Sequence, residues 1–313
     1  MPVRTEVVMG TLVTVHVVPE DQPAEASAAM DRAFGWFHEI EKHCTRFIPS
    51  SELMQLSAHP GVPVPASAIL FEAVRFAVKV AEATGGAFDP TVGHPMEKRG
   101  FNREHRTGAI VKSEIPATGV TWRDVTLDAK RRTITLRRPL TLDLGAVAKG
   151  LAVDTAAREL APFRDFAINA GGDVYFGGSN PRGEPWSVGI RHPRRDGEVI
   201  ETLLVSNQAV CTSGDYERRT PDDSAEHHIL DPRSGTSPKS VASATVVAPN
   251  AMLADALATA AFVLGPVGGI EFLDRMGVEG LIFTPALDRH ETKGLRELTK
   301  AVGTTPLLNE DAG

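Results

Sequence analysis

Cysteine is nearly absent from this 313-residue chain, which holds only Cys44 and Cys211. Two isolated thiols build neither a disulfide scaffold nor a cysteine-based zinc site, and they fit a reducing compartment. A long Lys/Arg stripe is missing as well, and the formal charge is −7. No nucleic-acid partner is expected from such a surface. The N-terminus lacks a basic segment leading into an apolar one, because Glu6 interrupts it and no small-residue cleavage site follows. The most apolar stretch, 240–269, contains Pro249, Asn250 and Asp255, so no membrane span is expected either. A cytoplasmic setting follows as the expectation. Neither GxxxxGK(S/T) nor GxGxxG occurs, which removes the best evidence for the usual nucleotide folds. His38-Glu39-Ile40-Glu41-Lys42-His43 imitates the zincin HExxH. Its histidines stand about 140° apart round a helix and cannot share a metal.

What is present is a chain that is 42% hydrophobic, enough for one large domain or two subdomains. Val3–Val18 reads as a strand with a break or bulge at Gly10. Pro23 opens a helix to about His43, with Met30, Ala33, Phe34, Phe37 and Ile40 on its apolar face. Ser51 is placed to cap a short helix, and a second helix, about 67–84, ends at Gly85-Gly86. Residues 94–118 show no readable pattern. A hairpin is predicted over 125–136, with its turn at 128–132. Thr141–Leu144 reads as a strand running into a helix that ends near Leu160. Short strands follow at 166–169, 174–177, 186–190, 203–205 and 209–212. Ile229-Leu230 reads as a short strand entering an Asp-Pro turn, and Val241–Val247 as a longer one. Helices are predicted at 251–264 and 267–276, then a strand at 280–283. The polar end, Asn309–Gly313, is expected to fray.

Several residues carry chemistry. Asp255 and Thr259 are four apart on a helix, so carboxylate and hydroxyl share one face. Two hard oxygen donors in the first turns of a helix suit Mg²⁺, and the helix N-terminus suits a phosphate. An Asp there also simply complements the helix dipole. Both readings stand on the residues alone. Gly145 at a turn into a helix, with Lys149 just inside, can hold an anion. Ser213-Gly214 reads as an ordinary turn or as a donor to a phosphate. His228 has an unperturbed pKa near neutrality and suits a general base. The plainer reading makes it a strand histidine satisfied by the turn at Asp231.

The order of these pieces carries more than any one of them. Met9-Gly10-Thr11, the run Arg46-Phe47 to Leu53, Gly85-Gly86-Ala87-Phe88-Asp89 and Leu142–Gly150 with Asp154 occur in sequence. Asn169–Asp173, Thr212–Tyr216, His228–Gly235 and Ala254–Thr259 continue the series. The pattern, from about Val8 to Gly265, resembles the ApbE family of FAD:protein FMN transferases. That resemblance implies a mixed α/β, T-fold-like architecture. It also implies one domain over 1–313 with an added subdomain and a flavin cleft between the two parts. It implies Mg²⁺ on Asp255, Thr259 and the Ala148 carbonyl. Met9, Phe47, Ala87, Phe88, Asp89 and Asp154 would line the flavin and adenosine sites. FMN would pass from FAD to a Thr or Ser hydroxyl of a target flavoprotein, with release of AMP. Two further readings are a pyrophosphatase splitting FAD into FMN and AMP in the same site, and a non-catalytic FAD-binding protein. Many relatives are exported lipoproteins, whereas the first cysteine here, Cys44, forms no lipobox.

Overall fold

The alternating Val and Thr residues at the N-terminus form a hairpin instead of one broken strand. In the computed structural model β1 (Val3–Val8) pairs antiparallel with β2 (Thr11–Val17), Val8 opposite Thr11. The two residues between them, Met9 and Gly10, both have positive φ, 52° and 72°. That is the turn whose twist matches a right-handed strand pair. Residues 2–18, 23–104, 107–113, 118–218 and 226–299 are described. The terminus Asn309–Gly313 lies outside them.

The hairpin is one edge of an eight-stranded sheet. The others are β6 (Phe166–Ala170), β7 (Asp173–Gly177), β10 (Gln208–Gly214), β11 (Ser243–Ala248), β12 (Glu279–Phe283) and β13 (Arg289–Glu291). The order is β1-β2-β6-β7-β10-β11-β12-β13, and every neighbouring pair is antiparallel. A three-stranded sheet joins β3 (Val64–Pro65), β5 (Thr133–Leu136) and β4 (Val125–Asp128), which includes the expected hairpin. A ribbon pairs β8 (Trp186–Arg191) with β9 (Val199–Val205).

Strand alternation gives the large sheet two apolar faces. Along β10, Ala209 and Cys211 belong to the helix-side core, while Val210 packs with the ribbon's Trp186, Leu203 and Val205. The helix side is built on α1 (Pro23–Cys44), α5 (Gly145–Leu160) and α6 (Ala251–Met276). The expected apolar face of α1, from Met30 to Ile40, is fully inside. Around them lie α2 (Glu52–Ser57), capped by the Ser51 hydroxyl, α3 (Ala68–Ala83) and α4 (Gly93–Lys98). Helix α6 is long and apolar enough to cross a membrane, yet Leu257, Ala258, Ala261 and Phe262 are buried against the rest of the protein. It breaks at Gly265 (φ 82°), next to Pro266, where the sequence separates two helices.

Two expected strands do not form. Thr141–Leu144 has no strand partner, because its backbone is spent on the segment before α4. Gly93 N–H donates to the Thr141 carbonyl at 3.1 Å, and Asp143 N–H to the Pro90 carbonyl at 2.7 Å. Ile229 and Leu230 are buried but unladdered; the local pairing is instead Asp231 with Thr236, which closes the Asp-Pro turn.

Helices α5 and α6 approach backbone to backbone. A Cβ on Gly150 would lie 2.5 Å from the Met252 Cα and 2.6 Å from the Ala251 carbonyl oxygen. Backbone cannot move aside as a flexible side chain can, so Gly150→Ala forces the helices apart. The expected cost is ~1–3 kcal/mol, the usual range for overpacking. Urea unfolding measures it; an unchanged midpoint and slope would show that the contact is looser than described.

Candidate functional site

Strand directions bring several turns and ends together. Val13 stands opposite Ala170, Val174 opposite Val210, and Gly214 opposite Ser243. The Met9-Gly10 turn, the Gly171-Gly172 turn and the end of β10 therefore share one end of the sheet. Gly171 and Gly172 have φ of 63° and 98°, and the Thr11 side chain fills the space that a Cβ on Gly171 would take. This tight turn delivers Asp173 as the first residue of β7.

Asp173 is 4% exposed at its side chain and forms an ion pair with Lys149, in the first turns of α5. Burial works against the Lys149 ammonium, but Asp173 and Asp255 outweigh it and hold its pKa above the ordinary value. Asp255, one turn into α6, is buried; burial first and Asp173 second push its pKa up to about 7. Its Oδ2 has no hydrogen-bond partner among the described residues. On the same face of α6, Thr259 Oγ1 lies 3.2 Å from Ser213 Oγ. Ser213 and Gly214 are therefore not a turn; they continue β10, opposite Ala244 and Ser243.

His228 lies in an irregular segment and is half-buried. Its N–H donates to the Arg218 carbonyl at 2.9 Å. Burial, then the Arg218 guanidinium and His227, push its pKa down to about 3, and Lys149 is near enough to add to the shift. Nδ1 is buried with no partner among the described residues. The plainer sequence reading fails here, since Asp231 is engaged by Arg233 at 2.9 Å. Arg218 also bears on Asp143 and Asp255, so its charge faces the same site.

The remaining expected residues divide into two groups. Phe47 is half-buried under the Arg46 guanidinium, 4.2 Å from its ring centre. Arg46 in turn binds Asp143 Oδ2 at 2.6 Å and the Phe101 carbonyl at 2.5 Å. Burial opposes ionisation of Asp143, but Arg46 and the Gly145 N–H outweigh it and lower its pKa. Asp89 joins this region through the backbone bond of Pro90 to Asp143. Its carboxylate is occupied by Thr91 N–H at 2.9 Å, Thr91 Oγ1 at 2.8 Å and Trp122 N–H at 3.0 Å. Ala87 and Phe88 are core residues. Phe47 and 87–89 thus flank the start of α5.

Asp154 stands apart. It accepts from Ala251 N–H at 2.6 Å and Met252 N–H at 3.0 Å, capping α6 at the opposite end of the sheet. A cleft of about 930 Å³ opens there, lined by Phe76, Asp154, Arg158, Tyr175 and Met252. The ionisable groups Lys149, Asp173 and Asp255 converge at the other end. Ala148 lies inside the α5 ladder and is buried, whereas Ala146 has non-helical angles (φ −89°, ψ 17°). The sequence reading missed Asp173, Asp143, Arg46 and Arg218. The Gly-Gly turn before Asp173 was the one available signal, because a turn of that type fixes the direction of the next side chain.

The ApbE family model matches residues 9–282. The FAD:protein FMN transferase of Haemophilus influenzae is 30% identical over 251 residues, covering 76% of this chain and 72% of the relative. That of Treponema pallidum is 32% identical over 308 residues, 90% of this chain and 84% of the relative. The crystal structure of the ApbE protein of Thermotoga maritima superposes with a TM-score of 0.82 at 28% identity, over 96% of this chain and 99% of that one. Motif order, family match and superposed fold agree over nearly the whole described chain, which belongs to the ApbE family.

Proposed function

We propose that this protein moves the FMN half of FAD onto a Thr or Ser hydroxyl of a target flavoprotein, with Mg²⁺ on α6, and releases AMP. Flavin transfer from FAD is the chemistry of the family to which the chain belongs. The observation that carries the finer reading is the Asp255 carboxylate, buried beside Lys149 with Oδ2 unpartnered among the described residues. A buried anion without a partner is costly, and a hard cation relieves that cost.

The residues fit such an ion. Asp255 offers a carboxylate oxygen, and Thr259 a hydroxyl one helical turn later, within reach of Ser213. The resemblance makes the Ala148 carbonyl the third ligand, and α5 departs from helical angles just before it, at Ala146. Among the described residues no three His, Cys, Asp or Glu side chains converge on one point. A set of one carboxylate, one hydroxyl and one carbonyl does not require that they should. When bound, Mg²⁺ would neutralise charge on the diphosphate as the bond to AMP lengthens.

The protein's own charges complement the same substrate. Lys149 and Arg218 face Asp173 and Asp255, so the site holds little net charge before a diphosphate and a divalent cation enter together. Lys149 is engaged with Asp173, so it stabilises the diphosphate as a held charge, not as a free arm. Neutral His228 has one ring nitrogen with a free lone pair to take the proton of the attacking hydroxyl. A bond then forms from that oxygen to the FMN phosphorus. The bond from phosphorus to the bridging oxygen breaks, and AMP carries the oxygen away.

The decisive experiment incubates the chain with FAD, Mg²⁺ and a candidate flavoprotein, then measures intact mass. A gain of one FMN on a Thr or Ser, with AMP released, supports transfer. FMN and AMP free in solution with an unmodified acceptor would support the pyrophosphatase instead. Asp255→Ala should lose the Mg²⁺-dependent rate while retaining part of the FAD affinity. Wild-type activity in that variant would remove the metal assignment.

His228 makes a prediction about pH. A depressed pKa means that the folded protein binds this proton less well than the unfolded chain. Its contribution to stability is therefore complete above about 6.5 and is lost as pH falls from there toward about 3. His228→Asn should flatten that part of the stability profile. NMR titration of the His228 ring should place its protonation well below pH 6; ordinary titration near 6.5 would mean that the histidine is not shielded as described. His228→Ala should slow transfer by roughly 10²–10⁴, the range for losing a positioned base.

A further inference from the structure

Residues 94–118 match no readable sequence pattern, yet the side chain of one of them reaches the segment carrying His228. Arg99, the residue after α4, is 14% exposed at its side chain. Its Nη2 donates to the Ser237 hydroxyl at 2.6 Å and to the His227 carbonyl at 3.2 Å, and it forms an ion pair with Glu226. The groups it touches are bonded to one another. Ser237 Oγ accepts from His227 N–H at 3.0 Å and lies 2.8 Å from the His227 carbonyl, while Ser237 N–H reaches the Glu226 carboxylate at 3.3 Å.

His227 is fixed as a result. Its Nε2–H donates to the Pro238 carbonyl at 3.1 Å, and its Nδ1 accepts from Ile229 N–H at 3.3 Å. Its ring meets Phe262 of α6 edge-on, with centres 5.4 Å apart. Residues on both sides of His228 are thus held, and its own N–H is tied to Arg218. The imidazole of His228 takes its direction from this frame. All three contacts run through the single nitrogen Nη2, while Nη1 is buried with no partner among the described residues. Lys, with one donor nitrogen on a flexible stem, keeps part of this attachment, and Met keeps none.

We propose that Arg99 is a positioning residue for His228, acting through His227, Ser237 and Glu226 without touching substrate. The inference rests on the reading of His228 as the base. Arg99 follows α4 and His228 precedes β11, so the pair couples two segments far apart in sequence. Misplacing a reacting group by about 1 Å costs up to about 10²-fold in rate.

The test compares Arg99→Lys and Arg99→Met in two backgrounds, wild type and His228→Ala. In the wild-type background both should lower kcat, Met by roughly 10–100-fold and Lys by less, with KM for FAD within about twofold of wild type. In the His228→Ala background neither should slow the residual rate further, because the group they position is gone. If Arg99→Met does not fold, Arg99→Lys, which keeps the charge opposite Glu226, decides alone. An equal loss in both backgrounds, or a rise in KM with kcat unchanged, would overturn the proposal. So would a normal kcat for Arg99→Lys and any folded Arg99→Met while His228→Ala is impaired. A His228→Ala variant as fast as wild type would sink the base reading, and the positioning role with it.

Discussion

Everything at the charged end of the sheet depends on how closely α5 and α6 approach. Gly150 lets the two backbones touch, and one turn later the Asp154 carboxylate takes the first N–H groups of α6. These two contacts fix the rotation and height of each helix against the other. With the helices so set, Lys149 of α5 and Asp255 and Thr259 of α6 come to the same end of the sheet, against Asp173 and Ser213. Asp154 therefore contributes to the site at a distance, as the cap that indexes α6, whereas the sequence resemblance places it among the ligand-lining residues. An aspartate five residues on stands about 140° round the helix from the lysine, and sequence alone fixes that face but not its partner.

The charge arrangement follows from that geometry. Two carboxylates near one ammonium in a buried setting disfavour full ionisation, and the raised pKa of Asp255 expresses it. On the proposed reading, a dication and a dianionic diphosphate entering together would leave the charge balance of the site unchanged, whereas either alone would upset it. Metal and substrate should therefore bind cooperatively, since each relieves a cost that the other would otherwise meet.

Local pattern was enough for the parts of the fold whose period is their own. The apolar stripe of α1, the Ser51 cap, the 125–136 hairpin and the break in α6 at Gly265 all lie where the residues indicate. Pairing was not legible. Whether Thr141–Leu144 becomes a strand depends on which backbone comes alongside, and here it is the Pro90–Gly93 turn rather than another strand. Ser213-Gly214 shows the converse: a Ser-Gly pair favours a turn, but the waiting edge of β11 extends β10 through it. Among site residues, those in helix register, Lys149, Asp255 and Thr259, were readable because the period fixes their face. Asp173, Arg46 and Arg99 act across long sequence separations, and apart from the Gly-Gly turn before Asp173 no local pattern marks such partners.

The adjacent histidines condense the argument. His227 is satisfied at both ring nitrogens and packs on Phe262, so it has no capacity left for chemistry. His228 next to it is neutral, with a buried Nδ1 unpartnered among the described residues and a cation close by. Identical side chains one position apart thus hold opposite roles, one spent on structure and one left open. A fully satisfied imidazole is worth more to stability, because each unmade buried hydrogen bond costs about 1–3 kcal/mol. The open one persists at a cost in stability, as groups held ready for substrate do. What makes that tolerable is the frame around it: Ser237, Glu226 and Arg99 hold His227, and through the backbone His227 holds its neighbour. The chemistry of the site is therefore set less by which residues are present than by which have been left without a partner.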